Sequence, residues 1–255
     1  MAKALLIVEG ARLEPRLFKQ LAFLYEMQVE IIPFRANIYQ LYRKLEEYGF
    51  DYDVKQALYE QNPSDEVKAI LSQRYAYTYL IFDCDAHDCG KRPNGEVPLG
   101  VNEVVACNYA LLDKMIQYFT DETDPDRGKL YVNYPMMESF RDADAFYDTS
   151  YADRKVAFVD LVRYKEMVGK RKLAGFHIDD LSRDNADALI RMSLCKMSKM
   201  VLGDWQLPDA DIYMGMDVQK AIFYAQRALE GESLMDVINT SILLPIDYLG
   251  VMPKP

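Results

Sequence analysis

The chain has 255 residues, half of them hydrophobic and 27% charged, enough for a full core and too apolar for disorder. Asp and Glu outnumber Lys and Arg by 40 to 30, and the net charge of −10 excludes a protein that coats nucleic acid through its overall field. No run approaches the ~18 consecutive apolar residues of a membrane span, the N-terminus lacks the apolar core of a signal peptide, and four unpatterned cysteines predict reduced thiols in a cytoplasmic protein.

Ala4-Leu5-Leu6-Ile7-Val8 is a continuous apolar run, as expected of a buried parallel strand. After Glu14-Pro15, the residues Leu17, Phe18, Leu21, Ala22, Leu24 and Tyr25 recur at helical spacing, with Pro15 in the first turn. Residues 29–34 predict the next strand, and Asn37 caps a helix carrying Ile38, Leu41, Tyr42 and Leu45 that stops near Gly49. Residues 53–76 predict one or two short helices broken at Asn62-Pro63-Ser64-Asp65. Residues 77–82 read as a strand and run into Asp83-Cys84-Asp85. A polar, Gly/Pro-rich stretch at 90–95 predicts a mobile loop. A helix over 102–119, an acidic turn and a fourth strand over 129–133 follow. Past Met136 the pattern predicts helices only, over 154–168, 183–201, 216–230 and 233–241. The expectation is an α/β fold: a four-stranded, mostly parallel sheet flanked by helices in residues 1–145, then a helical C-terminal lobe in 146–255 that binds substrate or partner.

Three acidic features fall at the C-terminal ends of predicted parallel strands, where open α/β sheets form their ligand crevice: Glu9, the pair Asp83 and Asp85, and Glu138. Carboxylates gathered there raise one another's pKa unless a cation neutralises them. Hard oxygen donors suit Mg²⁺ or Mn²⁺. Strand alternation predicts that Asp83 and Asp85 point to one side. Asp88 extends the cluster, and Glu14 joins it if the first helical turn faces the site. Cys84, His87 and Cys89 lack the spacing and the fourth ligand of a zinc site.

The segments LLIVEG and IFDCDAHD resemble the Toprim fold of topoisomerases, primases and OLD-type and RloB-type nucleases. The opening from Glu9-Gly10 to Glu14-Pro15 and Phe18 is similar to the E-G-x-x-T-E-P-x-x-F of RloB-like proteins, with Leu13 in place of Thr. Asn133-Tyr134-Pro135-Met136-Met137-Glu138-Ser139-Phe140 is similar to their N-P-x-F-E-x-W element, with one residue more. The resemblance spans residues 4–140. It implies a Toprim domain and metal-dependent hydrolysis of phosphodiesters in DNA or RNA, tRNA included. Glu9, Asp83, Asp85 and Glu138 would be catalytic, and Glu9, Asp83, Asp85, Asp88 and Glu14 would ligate the metal. It further implies an antiphage effector switched by an ATPase. No G-x-x-x-x-G-K-[ST] loop occurs in the chain, so that ATPase would be a separate subunit; a homodimer is a further expectation.

Residues 161–200 are a basic window, with nine Lys and Arg against five Asp and Glu. Lys170, Arg171 and Lys172, with Arg163, Lys165, Lys196 and Lys199, could track phosphates or form a solvated face, and Arg12, Arg16 and Lys19 could meet an incoming backbone. His177 reads as structural. Two rival enzymes fit less well: a glycosyltransferase does not explain Glu9-Gly10, and an Asp-x-Asp-x-Thr phosphatase needs Thr where His87 stands. The other alternative is a non-catalytic adaptor that kept the fold.

Overall fold

A computed structural model describes residues 2–50, 53–88 and 100–253, so Cys89 and the predicted loop at 90–95 lie outside the described residues. The first half runs β1 (Ala4–Val8), α1 (Leu13–Leu24), β2 (Val29–Pro33), α2 (Ile38–Glu47), α3 (Val54–Gln61), α4 (Asp65–Leu71), β3 (Tyr77–Asp83), α5 (Val101–Tyr118), β4 (Thr120–Asp121) and β5 (Gly128–Asn133). β1 is buried along its whole length and β3 along its centre, because helices cover a parallel sheet on both faces. Asn37 caps α2 as predicted, its side chain accepting from the Gln40 N–H, and Gly49 follows with φ +67.

The sheet order is β2-β1-β3-β5-β4, parallel except for β4. Five strands replace the expected four. Two residues are too few to carry a period-2 pattern, so β4 leaves no signal in the sequence. The chain leaves β1 toward β2 on one side and returns to β3 on the other. The strand order therefore reverses between β1 and β3, and the carboxyl ends of these two strands open the crevice.

The second half corrects the all-helical expectation. β6 (Lys155–Ala157) and β7 (Leu234–Asp236) form an antiparallel pair. The predicted helix over 154–168 is β6, a 3-10 segment (Phe158–Arg163) and α6 (Tyr164–Val168). Val156, Phe158, Leu161, Tyr164 and Val168 are buried at a spacing that a 3-10 turn shares closely with an α-helix. The predicted helix over 233–241 is instead β7 and the start of a 3-10 turn (Ser241–Leu243) leading into α10 (Leu244–Leu249). α7 (Arg183–Leu202) and α9 (Val218–Ala228) lie where expected, and the short α8 (Ala210–Met214) is additional.

One buried cluster includes residues from both halves, from Ala4 to Ile246. The last segment grips β5: Tyr134 and Ile238 exchange backbone hydrogen bonds of 2.8 and 2.9 Å, Thr240 Oγ1 donates to Val132 O (2.9 Å), and Ser241 N–H donates to Asn133 Oδ1 (3.2 Å). No helix among the described residues is long and apolar enough to cross a membrane.

Candidate metal centre

The crevice between β1 and β3 holds a cavity of about 500 Å³ lined by Glu9, Glu14, Asp83, Asp85, Glu138 and Lys165 among others. Glu9 follows the last residue of β1, and its Oε2 accepts the Asp83 N–H at 3.0 Å. This bond ties the two strand ends together. On the far side of Asp83, the fully buried Asn133 of β5 lies with Nδ2 3.5 Å from Asp83 Oδ1.

Asp83 and Asp85 do face the same cavity, with Cys84 and Ala86 buried between and beyond them. The cause is more than strand alternation. β3 ends at Asp83, and Asp85 has φ +37, a left-handed conformation that Asp tolerates better than most residues. The Asp85 N–H donates to Pro135 O (3.3 Å), and Asp85 O accepts the Asp88 N–H (2.8 Å). Backbone strain of this kind concentrates at functional sites.

Glu14 reaches the cavity from the first turn of α1, 7% exposed, with Oε1 accepting the Gly10 N–H at 3.0 Å. Only glycine permits this fold-back: a Cβ on residue 10 would stand 2.6 Å from both Glu14 carboxylate oxygens. The helix N-terminus also favours a negative group there.

Burial dominates the electrostatics. It pushes Glu9 up to about 8, with the Asp85 charge as the next cause. Burial and then Glu9 raise Asp83 well above the carboxylate range, and burial raises Asp85 and Glu14 as well. Glu138 is ion-paired with Lys165, whose side chain is 73% exposed, and this hydrogen bond raises the Lys165 pKa. Among the described residues no three His, Cys, Asp or Glu side chains form a ready-made ligand set. Glu9 and Glu14 each commit an oxygen to a backbone N–H, and Glu138 is held by Lys165. The donor set is nonetheless all carboxylate oxygen around a shared cavity, which suits Mg²⁺ or Mn²⁺ once these side chains turn inward.

The other expected residues distribute as follows. Asp88 does not line the cavity; its Oδ2 accepts from Asn37 Nδ2 at 2.5 Å. Arg12 lines the rim, while Arg16 pairs with Asp179 at 2.6 Å. Lys170 pairs with Glu166, Arg171 donates to Asp142 Oδ1 at 2.8 Å, and Lys172 is exposed; none of the three lines the cavity. Lys196 is fully buried and donates to Asp236 Oδ1, Ala152 O and Arg154 O, which removes it from any phosphate track. Lys199 pairs with Asp153. Of the basic window, Lys165 is the member that meets the carboxylates. His177 is exposed rather than packed. Asn133, which opens the N-P-x-F-E-x-W-like element but carries no predicted role, is set beside Asp83 by the β3–β5 register.

No protein-family model, curated protein or solved structure matches this chain.

Proposed function

We propose that the chain is a Toprim-like, divalent-metal-dependent phosphodiesterase cleaving nucleic acid, DNA or RNA, with Glu9, Asp83, Asp85 and Glu14 holding Mg²⁺ or Mn²⁺. The observation that carries this reading is the convergence of these carboxylates on one half-buried cavity at the strand-order reversal, with Arg12 and Lys165 at its rim. A bound divalent ion supplies Lewis-acid stabilisation of the phosphoryl oxygens and a more acidic water. The chain's own groups do the rest. Glu9, raised to about 8, holds a proton at neutral pH and gives it up when positive charge enters the cavity. Lys165, whose own side chain is exposed, can exchange Glu138 for a substrate phosphate, and that exchange frees the Glu138 carboxylate that lines the cavity. The reading extends to a cytoplasmic antiphage effector held by a separate ATPase subunit. Co-purification with an ATPase encoded beside it tests that extension.

The test is cleavage of plasmid DNA and total RNA with Mg²⁺ or Mn²⁺. Wild type is expected to cut at least one polymer, and Asp83→Asn is expected to cut neither. Gly10→Ala tests the Glu14 fold-back, because the added methyl displaces the carboxylate rather than the backbone. It is expected to weaken Mn²⁺ binding roughly tenfold by calorimetry, while the folded state is kept. The alternative is a non-catalytic adaptor that kept the fold. A wild type that binds no Mn²⁺ and cuts neither polymer establishes the adaptor instead.

A further inference from the structure

The exposed face of α1 has an unusual composition. The residues of α1 and its cap that stand out in solvent are Arg12, Arg16, Lys19 and Phe23; their neighbours Glu14, Leu17, Phe18, Leu21 and Ala22 are buried. At about 100° per residue the four fall within an arc of about 60°, so they form one straight row. Over the eleven steps from Arg12 to Phe23, at about 1.5 Å each, the row runs ~16 Å along the surface. It begins inside the candidate site, because Arg12 lines the carboxylate cavity. It ends at Phe23, 78% exposed and the most exposed large hydrophobic side chain among the described residues. In a chain of net charge −10, a helix face of three cations and one bare phenyl ring is out of character. Solubility does not account for it, and the core does not need it. Two contacts dock α1 against the second half: Asp179 accepts from Arg16, and Gln20 Nε2 on the adjacent face donates to Leu181 O at 2.8 Å.

We infer that this row is a binding track for single-stranded nucleic acid, with Arg12, Arg16 and Lys19 following the phosphates out of the cavity and Phe23 stacking on an unpaired base. The inference rests on the nuclease reading for its choice of polyanion and deepens it by naming the substrate as unpaired. Cations alone would serve a duplex equally well. A solvent-facing ring in line with them serves only a strand whose base faces are free, since paired bases are already stacked on each other. Arg16 trades Asp179 for a phosphate at little cost, because both partners of that pair are largely in water. The four side chains leave the helix core untouched, so their removal reads binding rather than folding.

The experiment is fluorescence anisotropy with labelled single strands of about 12 nucleotides, oligo-deoxythymidylate and oligo-uridylate, beside a duplex of equal length. EDTA is present so that nothing is cut. At least one single strand is expected to bind more tightly than the duplex. Phe23→Ala is expected to weaken that binding about tenfold. Arg16→Gln with Lys19→Gln is expected to lower the slope of log Kd against log salt by about 1.4, near 0.7 for each phosphate left without its cation. Tyr224→Ala, which removes an exposed aromatic on α9, serves as the control and is expected to change neither. Wild-type affinity in Phe23→Ala, an unchanged salt slope in the double variant, or a duplex bound as tightly as the single strand overturns the track. So does a wild-type dimer in sedimentation that Phe23→Ala dissolves, since the face then belongs to a second copy of the chain. Phe23-dependent binding without cleavage in Mn²⁺ upholds the track and overturns the nuclease reading instead.

Discussion

Glu9→Gln is expected to abolish metal-dependent cleavage, by roughly 10²–10⁴-fold, and at the same time to stabilise the metal-free protein above neutral pH. The two effects share one cause. In the fold Glu9 titrates near 8, against 4.5 for an unperturbed carboxylate, so the folded chain binds more protons than the unfolded chain across that interval. Stability from this group is complete below the unfolded value and is lost as pH rises through about 8. Asp83, Asp85 and Glu14 are raised as well and act with the same sign. In EDTA, wild type is therefore expected to melt at a temperature on the order of 5–10 °C lower at pH ~8.5 than at pH ~5.5. Mn²⁺ is expected to recover much of that loss, because a cation favours the ionised form. The Gln variant is expected to show a shallower fall and little response to Mn²⁺. Thermal melts of both proteins across the pH range check the sign. Parallel curves for the two would remove Glu9 as the buried acid that drives the effect.

Lys196→Met is expected to cost about 3–5 kcal/mol in urea unfolding, the usual penalty for leaving one partner of a buried ion pair alone. The Lys196 ammonium donates to Asp236 Oδ1 at 2.5 Å, Ala152 O at 3.0 Å and Arg154 O at 3.1 Å, with its side chain 1% exposed. Burial pulls its pKa down, and Asp236 pulls it back up. Removing the cation strands the Asp236 carboxylate and takes a donor from Ala152 O, while Arg154 O keeps the Val237 N–H at 3.0 Å. The pair joins α7 to β7 and to the segment ahead of β6, beside the β6–β7 ladder and the Lys199–Asp153 ion pair. Lys196→Met combined with Asp236→Leu is expected to recover most of the loss, since an apolar pair of similar volume avoids the desolvation of both charges. A single variant as stable as wild type would mean that water reaches Asp236 and that the pair is only peripheral.

How far the fold could be read from the sequence depended on how local each signal was. β1 and β3 were legible because a strand buried on both faces must be continuously apolar, and α2 because Asn37 and Gly49 mark its ends. The β6–β7 pair was not. Each strand has three residues, and the partner of Lys155 is Asp236, so nothing near either strand records the pairing. The same distinction divides the candidate site. Glu9, Asp83 and Asp85 were legible as acids at strand ends, and Glu14 as an acid in a first helical turn. Asn133 and Lys165 come to the carboxylates through the sheet register and the path of the second half, which no spacing in the sequence encodes. Asp88 stays close enough for its charge to add to burial in raising Glu9 and Asp85, but it does not line the cavity, because the turn that follows Asp85 lets its side chain accept from Asn37.

The grip of the last segment on β5 bears on how the chain matures during synthesis. Thr240 caps the carbonyl of Val132, and Ser241 caps the side chain of Asn133, each pair 108 positions apart. A ribosome adding about 5–20 residues per second delivers β5 roughly 5–20 s before the residues that brace it. During that interval the emerging chain already displays Glu9, Asp83 and Asp85, while the strand beside Asp83 still lacks its buried partners. A polypeptide born next to messenger and transfer RNA thus acquires its carboxylate site in finished form only after the second half has folded back onto it.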